Sequence, residues 1–317
     1  MIHLIKLFHS IKLREPSMNP LFTLRIIRPH IVAGGVLAYS LGVLLALVEG
    51  GTIIPPLVAL CYGVVFLGDL STHFSNDYYD AEMDAQINAK KFFSNKKILV
   101  NNPQLRSLTR SIALTLLTLS IILSAIIVII FGAPIEFFVI TFLANLLGWA
   151  YSAPPFRLAS RGLGELTIAA ATGFIIPSVG YLSVNSQLDP IFLTLSIPFM
   201  LYGFFLSLNL EAPDIHSDQK EQKRTLAVQI GKRNIFILVL IVPLFITLTF
   251  LALLSLSSSS LYLGTFLLFS FIPLIACIIG FILFFQKRDL HRFSTLNICS
   301  LFLLITSLNV YLYLLLQ

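Results

Sequence analysis

The sequence predicts an all-α, polytopic membrane protein with nine transmembrane helices in a bundle around a central cavity. Of its 317 residues, 57% are hydrophobic and 11% are charged, and the mean hydropathy is +0.90. Soluble domains carry about 25% charged residues, and a soluble globule of this size could not hide so much apolar surface from water. Disordered chains, collagen and soluble α/β enzymes are therefore excluded.

Nine apolar stretches are long enough to cross a bilayer, whose hydrocarbon core of about 30 Å needs roughly 20 helical residues. Most are apolar on all sides, which is typical of membrane spans. We expect residues 1–24 to form a cytoplasmic or interfacial N-terminal segment and residues 25–317 to form a single transmembrane domain. The predicted spans are residues 26–48, 52–75, 108–132, 134–152, 163–184, 190–210, 234–255, 260–285 and 293–316.

The basic residues predict the orientation in the membrane. All 21 Lys and Arg residues lie in the N-terminal segment or in every second connection, at residues 1–30, 76–110, 153–162, 211–233 and 286–292. The positive-inside rule then places the N-terminus in the cytoplasm and the C-terminus outside. Arg28, just before the first span, could help to bind a diphosphate, but its contribution to the orientation explains it adequately. The net charge of +6 requires no nucleic-acid partner, since orientation in the cell membrane and contact with anionic membrane lipid explain it.

An acidic cluster follows the second span. Asp77, Asp80 and Asp84 stand at helical positions i, i+3 and i+7 and so face one direction, with Asn76 beside them. Neighbouring carboxylates on an exposed helix repel each other by a few tenths of a kcal/mol per pair, and by more near a membrane. We therefore expect a cation between them.

A second acidic cluster follows the sixth span on the same side of the membrane. Glu211, Asp214 and Asp218 repeat the spacing of the first cluster, and Pro213 is expected to interrupt and restart the helix. Two acidic stripes that face each other would suit more than one hard divalent ion. Magnesium in proteins typically takes one or two carboxylates plus substrate phosphates, so the expected cofactor is Mg²⁺.

Basic residues after each acidic cluster extend this hypothesis. Lysines that can contact phosphate oxygens, beside carboxylates that hold a metal ion, describe a diphosphate site. Because the rest of the chain is membrane, the organic part of such a substrate would be a long hydrocarbon chain. The alternative is that the charges are simply solvated, since surface ion pairs contribute only about 0 to 1 kcal/mol. The basic residues are Lys90, Lys91, Lys96, Lys97, Lys220, Lys223 and Arg224.

An ionisable pair precedes the first cluster on the same side of the helix. Asp69 lies one turn before His73, which lies one turn before Asp77. Ionisable residues inside a membrane are functional candidates by default. Either residue could orient an acceptor or remove its proton, and a satisfied polar pair between helices explains them equally well.

Four segments resemble the UbiA superfamily of intramembrane prenyltransferases. Asn76-Asp77-x-x-Asp80-x-x-x-Asp84 is similar to its first aspartate-rich motif and Asp214-x-x-x-Asp218 to its second. Tyr151-Ser152-Ala153-Pro154-Pro155-Phe156-Arg157-Leu158 resembles the loop after its fourth span. Lys223-Arg224-Thr225-Leu226-Ala227-Val228 is similar to the stretch after the second motif, particularly in the menaquinone branch that prenylates 1,4-dihydroxy-2-naphthoate. Glu211 stands where the family often has asparagine.

The resemblance implies transfer of a prenyl group from a polyprenyl diphosphate to a lipophilic or aromatic acceptor, with release of diphosphate. It assigns Asp77, Asp80 and Asp84 to one Mg²⁺. Asp214 and Asp218 would hold another. The implied substrate contacts are Asn76, Lys91, Arg157, Lys223 and Arg224.

Two further side chains have less specific roles. Tyr151 is a candidate for stabilising the positive charge at the allylic carbon by a cation–π interaction, although tyrosine is common at membrane interfaces. Asn145 either lines the hydrocarbon tunnel or packs between helices.

Two other functions remain open on the sequence. The same chemistry could act on another acceptor, such as a glycerol-phosphate lipid or a haem or chlorophyll precursor, because acceptor pockets are shaped by apolar residues. A cation transporter is the second alternative. Transporters place such acids near the bilayer midplane, whereas these lie at span ends with basic loops attached.

Overall fold

The computed structural model of the protein describes residues 28–85, 98–220, 222–256, 261–285 and 289–317. Over these residues the chain forms helices, and nine helical segments are long and apolar enough to cross a membrane. The predicted fold class is thus confirmed for the described part of the chain. The N-terminal segment expected at residues 1–24 lies outside the described residues.

In the part of the chain that the structure describes, eleven of the twelve α-helices build the nine spans, and the short helix Ile98–Asn101 lies between the second and third spans. The fifth and sixth spans each contain two α-helices, joined by a π turn and by a 3₁₀ turn that contains Pro213. The helices are α1 Pro29–Val48, α2 Pro55–Ala85, α3 Ile98–Asn101, α4 Arg106–Phe131, α5 Ile135–Ser152, α6 Gly164–Ala170, α7 Ile176–Leu182, α8 Pro190–Glu211, α9 Ile215–Lys220, α10 Leu226–Leu256, α11 Leu261–Gly280 and α12 Leu290–Leu315.

Helix α2 is longer than the predicted second span. It has 31 residues, which corresponds to about 46 Å against a hydrocarbon core of about 30 Å. The span was expected to end near residue 75, but the helix continues to Ala85. The first acidic cluster therefore begins on the same rigid helix that crosses the membrane.

The fifth span is interrupted at its centre. Helices α6 and α7 are joined by a π-helical turn, Ala171–Ile175, which the sequence did not predict. Pro177 has no N–H to donate to the carbonyl of Gly173, so the regular i to i−4 ladder cannot continue there. The wide turn lies against α8, where a Cβ on Gly173 would come within 2.3 Å of the Met200 backbone nitrogen.

The bundle has an inner and an outer set of helices. Helix α1 packs on α7 and α12, helix α2 packs on α4 and α5, and α8 packs on α6, α10 and α12. The residues that surround the central cavity come mainly from the first, second, fourth, fifth, sixth and ninth spans. Helices α4, α10 and α11 contribute none of them and support the others from outside.

Two glycines bring α1 and α7 into close contact. A Cβ on Gly42 would lie 2.0 Å from the Pro177 carbonyl oxygen, and one on Gly180 would lie 2.2 Å from the Tyr39 carbonyl oxygen. Small residues at such positions let helix backbones approach closely, which is how helices associate in a membrane. The contact fixes one wall of the cavity.

We expect Gly42→Ala to lower the thermal unfolding temperature of the purified protein, because an added methyl group would force the two helices apart. Overpacking of this kind costs about 1–3 kcal/mol. The matched control is Gly264→Ala, where a Cβ meets nothing within 4 Å. Equal unfolding temperatures for the two variants in the same detergent would contradict the assigned contact.

Candidate active site

A cavity of about 540 Å³ lies between the inner helices. Most of its wall is apolar, which suits a hydrocarbon chain, whereas ionisable side chains are gathered on parts of α1, α2 and the turn after α8. Pockets for small molecules commonly have volumes of about 300–1,000 Å³ with a few polar groups placed on an apolar wall. The apolar lining residues include Leu41, Val65, Ile168, Phe199, Leu301 and Ile305.

Acids from both motifs line this cavity. Asp77 and Asp80 project from α2, and Asp214 comes from the 3₁₀ turn Ala212–Asp214 that follows α8. Pro213 interrupts the helix as its sequence position predicts, and the chain restarts as α9. The structure thus brings together three of the five carboxylates that were expected to hold metal ions.

Each of the two α2 carboxylates is paired with a cation from a distant segment. The Nη2 atom of Arg28 lies 2.6 Å from Oδ1 of Asp77, and Nζ of Lys223 lies 3.6 Å from Oδ2 of Asp80. Arg28 caps α1 with a positive φ of 52°, and its sequence position was explained mainly by the orientation in the membrane. Its ion pair with Asp77 is a contact that sequence reasoning missed.

The segment that carries Lys223 is hydrogen-bonded to the loop after the fourth span and to the first turn of α6. The backbone N–H of Leu226 donates to Oε1 of Glu165 at 2.6 Å, and the N–H of Arg224 donates to the Ser160 carbonyl at 2.9 Å. Gln229 donates its side-chain amide to the Arg224 carbonyl at 2.6 Å. These bonds hold the buried Lys223 side chain against the cavity acids.

Glu211, the residue that departs from the family pattern, lies in the same polar region. Its carboxyl faces Glu165 and Asp218, with the Lys223 ammonium group as the nearby positive charge. Two carboxyl groups in one buried region need such a counter-charge. Sequence reasoning did not connect Glu165 with Glu211, because 46 residues separate them and no spacing rule joins two different spans.

Tyr151 and the two asparagines all line the cavity. Tyr151 stands near the charges of Glu211, Asp80 and Lys223. Asn76 accepts a hydrogen bond of 2.5 Å from the Ser152 hydroxyl, which joins α2 to α5. Asn145 donates to the Ser120 hydroxyl at 3.0 Å and to the Thr141 carbonyl at 2.8 Å, so it combines tunnel lining with helix packing, the two alternatives left open.

Asp69 and His73 also line the cavity, farther along α2. Nε2 of His73 lies 3.5 Å from Oδ1 of Asp69. Asp69 is eight residues from Asp77, which is about 12 Å along a helix axis. The pair therefore stands well inside the span.

Several expected site residues do not reach the cavity. Asp218 is buried but does not line it, and neither Arg157 nor the exposed Arg224 does so. Arg224 contributes through its backbone rather than its guanidinium group. Lys91 and the side chain of Asp84 lie outside the described residues, so their expected roles stay predictions.

The described acids fit Mg²⁺ by the chemistry of their oxygen atoms. Asp77, Asp80 and Asp214 supply hard carboxylate oxygens, and Mg²⁺ takes such ligands together with phosphate oxygens and water. Within the described ranges no group of three His, Cys, Asp or Glu side chains is close enough to hold a metal ion by itself. The remaining ligands would thus come from a substrate, from water or from rearranged side chains.

Comparison with known proteins identifies the family. The profile of the UbiA prenyltransferase family matches residues 36–309, which includes both acidic clusters and all nine spans in whole or in part. The chain belongs to the UbiA prenyltransferase family. The family resemblance noted from the motifs is therefore confirmed, while the menaquinone branch within it is not established.

Two solved structures show that the UbiA fold is shared. A UbiA homolog from Archaeoglobus fulgidus, bound to GPP and Mg²⁺, superposes with a TM-score of 0.65 and 17% identity over 90% of this chain and 99% of that one. The apo UbiA homolog from Aeropyrum pernix K1 gives a TM-score of 0.67 with 11% identity over 87% of this chain and 97% of that one. At these identities the likeness concerns the fold.

A sequence relative belongs to a plant. The chain is 29% identical over 229 residues to the probable homogentisate phytyltransferase 2, chloroplastic, of Oryza sativa subsp. japonica. The match covers 67% of this chain and 56% of that protein. This chain therefore spans little more than half the length of the relative.

We expect Glu165→Ala to increase trypsin cleavage after Lys223 and Arg224 in detergent-solubilised protein, because the segment loses the carboxylate that accepts the Leu226 N–H. Local opening is the step that exposes such a site to protease. The control is Glu136→Ala, which removes an exposed carboxylate in the first turn of α5. The same cleavage rate in both variants would show that Glu165 does not hold the segment.

Proposed function

We propose that the protein transfers a prenyl group from a polyprenyl diphosphate to an aromatic acceptor within the membrane and releases diphosphate. The observation that carries this proposal is the meeting of Asp77, Asp80 and Asp214 at one cavity whose remaining wall is largely apolar. Such a cavity suits an amphipathic substrate of this class, because its polar end can bind a diphosphate and its apolar part can hold a hydrocarbon chain. Family membership supports it as well.

The donor would be anchored by charge. Two negative groups, a diphosphate and the motif carboxylates, can share one site only if cations lie between them. Mg²⁺, which accompanies GPP in the Archaeoglobus fulgidus homolog, would supply this charge when bound, with Asp77, Asp80 and Asp214 as its ligands. Arg28 and Lys223, which pair with Asp77 and Asp80, would contact the diphosphate oxygens.

Catalysis would consist of stabilising the leaving group. The allylic C–O bond breaks with its electron pair on the diphosphate, so negative charge grows there and positive charge grows on the prenyl carbon. Cationic side chains that are already in place stabilise the first charge without reorganisation. Tyr151, which lines the cavity near Asp80, is positioned to present its ring to the second.

The acceptor we propose is a dihydroxylated aromatic acid. The segment from Lys223 to Val228 is similar to the branch that uses 1,4-dihydroxy-2-naphthoate, which favours a role in menaquinone and quinone biosynthesis. The second candidate is homogentisate, because a relative is named as a probable homogentisate phytyltransferase. Both compounds offer an activated ring carbon beside a hydroxyl group.

We also propose that the site faces the cytoplasm from the cell membrane. The proposal is supported by the distribution of Lys and Arg, which occur only in the N-terminal segment and in alternate connections. The acidic motifs share that side of the bundle with the basic loops. Anionic lipid would contact these loops.

Asp80→Asn and Asp214→Asn are each expected to reduce prenyl transfer by at least about 100-fold, since removal of one group that stabilises transition-state charge typically costs about 10²–10³ in rate. The assay uses purified protein, geranylgeranyl diphosphate, Mg²⁺ and the two acceptors named above. Diphosphate release is measured together with prenylated product.

The matched control is Asp289→Asn. Asp289 caps α12 by accepting the Arg292 N–H at 3.1 Å, lies outside the cavity, and asparagine caps a helix as well as aspartate does. This variant should keep wild-type turnover. Near-normal turnover of Asp80→Asn or Asp214→Asn at low Mg²⁺ would overturn the assignment of these carboxylates.

Cysteine labelling tests the orientation. In a Cys299→Ser background, which removes the exposed native cysteine, Arg161→Cys should react with a membrane-impermeant maleimide only in inverted vesicles. Ser186→Cys, exposed in the connection on the opposite side, should react in intact cells. The reverse pattern would place the acidic motifs outside the cytoplasm.

A further inference from the structure

Asp69 and His73 form a second polar site within the cavity, separate from the motif acids. His73 is almost fully buried, with 7% of its side chain exposed, whereas 25% of the Asp69 side chain is exposed. Both residues line the cavity. Asp69 is therefore the more accessible member of the pair for a ligand in the cavity.

The position of Asp69 along α2 separates it from the diphosphate anchor. It lies about 12 Å along the helix from Asp77 and about 6 Å from His73. A carboxylate at this depth is costly in a membrane span unless it has a partner or a task. His73 supplies a partner through Nε2 at 3.5 Å, and the charge of Arg28 acts on Asp69 from α1.

Space for a ring exists in the cavity that this pair lines. Gly34 and Gly35 of α1 line the same cavity, and a Cβ on Gly35 would meet nothing within 4 Å. The absence of side chains on these two residues leaves room in that cavity. An aromatic acceptor fits such a site, because its ring needs width and its hydroxyl needs a hydrogen-bond acceptor.

We propose that Asp69 binds the hydroxyl group of the aromatic acceptor and takes its proton, and that His73 positions the Asp69 carboxylate. This inference rests on the proposed prenyl transfer and assigns the acceptor end of that reaction. Asp69 is the catalytic residue of the pair and His73 is a positioning residue. General-base catalysis by a positioned side chain contributes about 10²–10⁴ in rate.

In the proposed step, Asp69 accepts the hydroxyl proton of the acceptor, and the electron pair left on that oxygen is delocalised onto the neighbouring ring carbon. That carbon forms the new bond to the prenyl carbon as the C–O bond of the donor breaks and its electron pair leaves on the diphosphate. The attacked carbon then loses its hydrogen as a proton to water, and the acceptor oxygen regains a proton from Asp69.

The test compares Asp69→Asn with the wild type in two assays. Magnesium-dependent retention of radiolabelled geranylgeranyl diphosphate should stay within about twofold of wild type, since Asp69 does not anchor the diphosphate. Prenyl transfer should fall by at least about 100-fold. Asp80→Asn serves as the comparison that loses both donor retention and transfer, and Asp289→Asn as the variant that loses neither.

A second readout separates proton removal from a structural role. A ring-fluorinated acceptor of the same skeleton has a more acidic hydroxyl, so less of its deprotonation depends on the enzyme. The loss caused by Asp69→Asn should therefore shrink at least about tenfold with this acceptor. His73→Gln should raise the KM for the acceptor and lower turnover less than Asp69→Asn, with His291→Gln, an exposed histidine, as its control.

Three results would overturn the assignment of Asp69. They are transfer by Asp69→Asn within about threefold of wild type, loss of donor retention equal to that of Asp80→Asn, and an equal loss for both acceptors. If Asp69→Asn cannot be extracted as folded protein, donor retention and transfer to both acceptors are measured on His73→Gln, and the same results decide the assignment. Failure of the wild type to prenylate either named acceptor would instead reject the proposed function itself.

Discussion

The site depends on the neutralisation of carboxylates by basic side chains at one end of a membrane cavity. Asp77 and Asp80 stand one turn apart near the end of the second membrane span. Isolated carboxylates are costly in a membrane span. Arg28 and Lys223 balance them in the described structure. These cations come from distant parts of the chain, from the start of α1 and from the segment before α10. The acidic stripe therefore fixes the relative positions of three parts of the chain.

The hydrogen bond between Glu165 and the backbone of Leu226 holds the segment that supplies Lys223 to this charge balance. Because Glu165 accepts a main-chain N–H, it holds the segment regardless of the side chains in it. The Ser160 carbonyl does the same for Arg224. The loop after the fourth span and the segment after the second motif consequently form one structural unit. Its function is to place a single ammonium group near the cavity acids.

Much of this architecture follows from the sequence. Hydropathy located all nine spans, because twenty apolar residues in a row have few alternatives to crossing a membrane. Helical spacing placed Asp77 and Asp80 on one face, and Pro213 indicated the break after α8. Hydropathy ended the second span near residue 75, whereas α2 continues to Ala85 as one helix, since polar residues end a hydropathy window but do not end a helix.

Contacts between distant spans were not predictable. The pairing of Arg28 with Asp77, the position of Glu165 beside Glu211 and the approach of Gly42 to Pro177 all depend on which helices are neighbours. A single sequence carries no period or spacing that encodes that arrangement. Arg224 shows a contact of another kind that the sequence does not reveal, because its backbone N–H donates to the Ser160 carbonyl while its side chain is exposed. Its expected phosphate contact stays a prediction.

The division of the bundle into cavity-lining and supporting helices has an evolutionary consequence. Helices α4, α10 and α11 contribute no residue to the cavity wall. Their apolar side chains are therefore constrained only by contact with lipid and by packing against other helices. Changes in α1, α7, α8 or α12 alter the width and length of the channel without touching the carboxylates on α2. A lineage could thus acquire a longer or shorter isoprenoid tail by drift in one set of walls while its anchoring chemistry stayed constant.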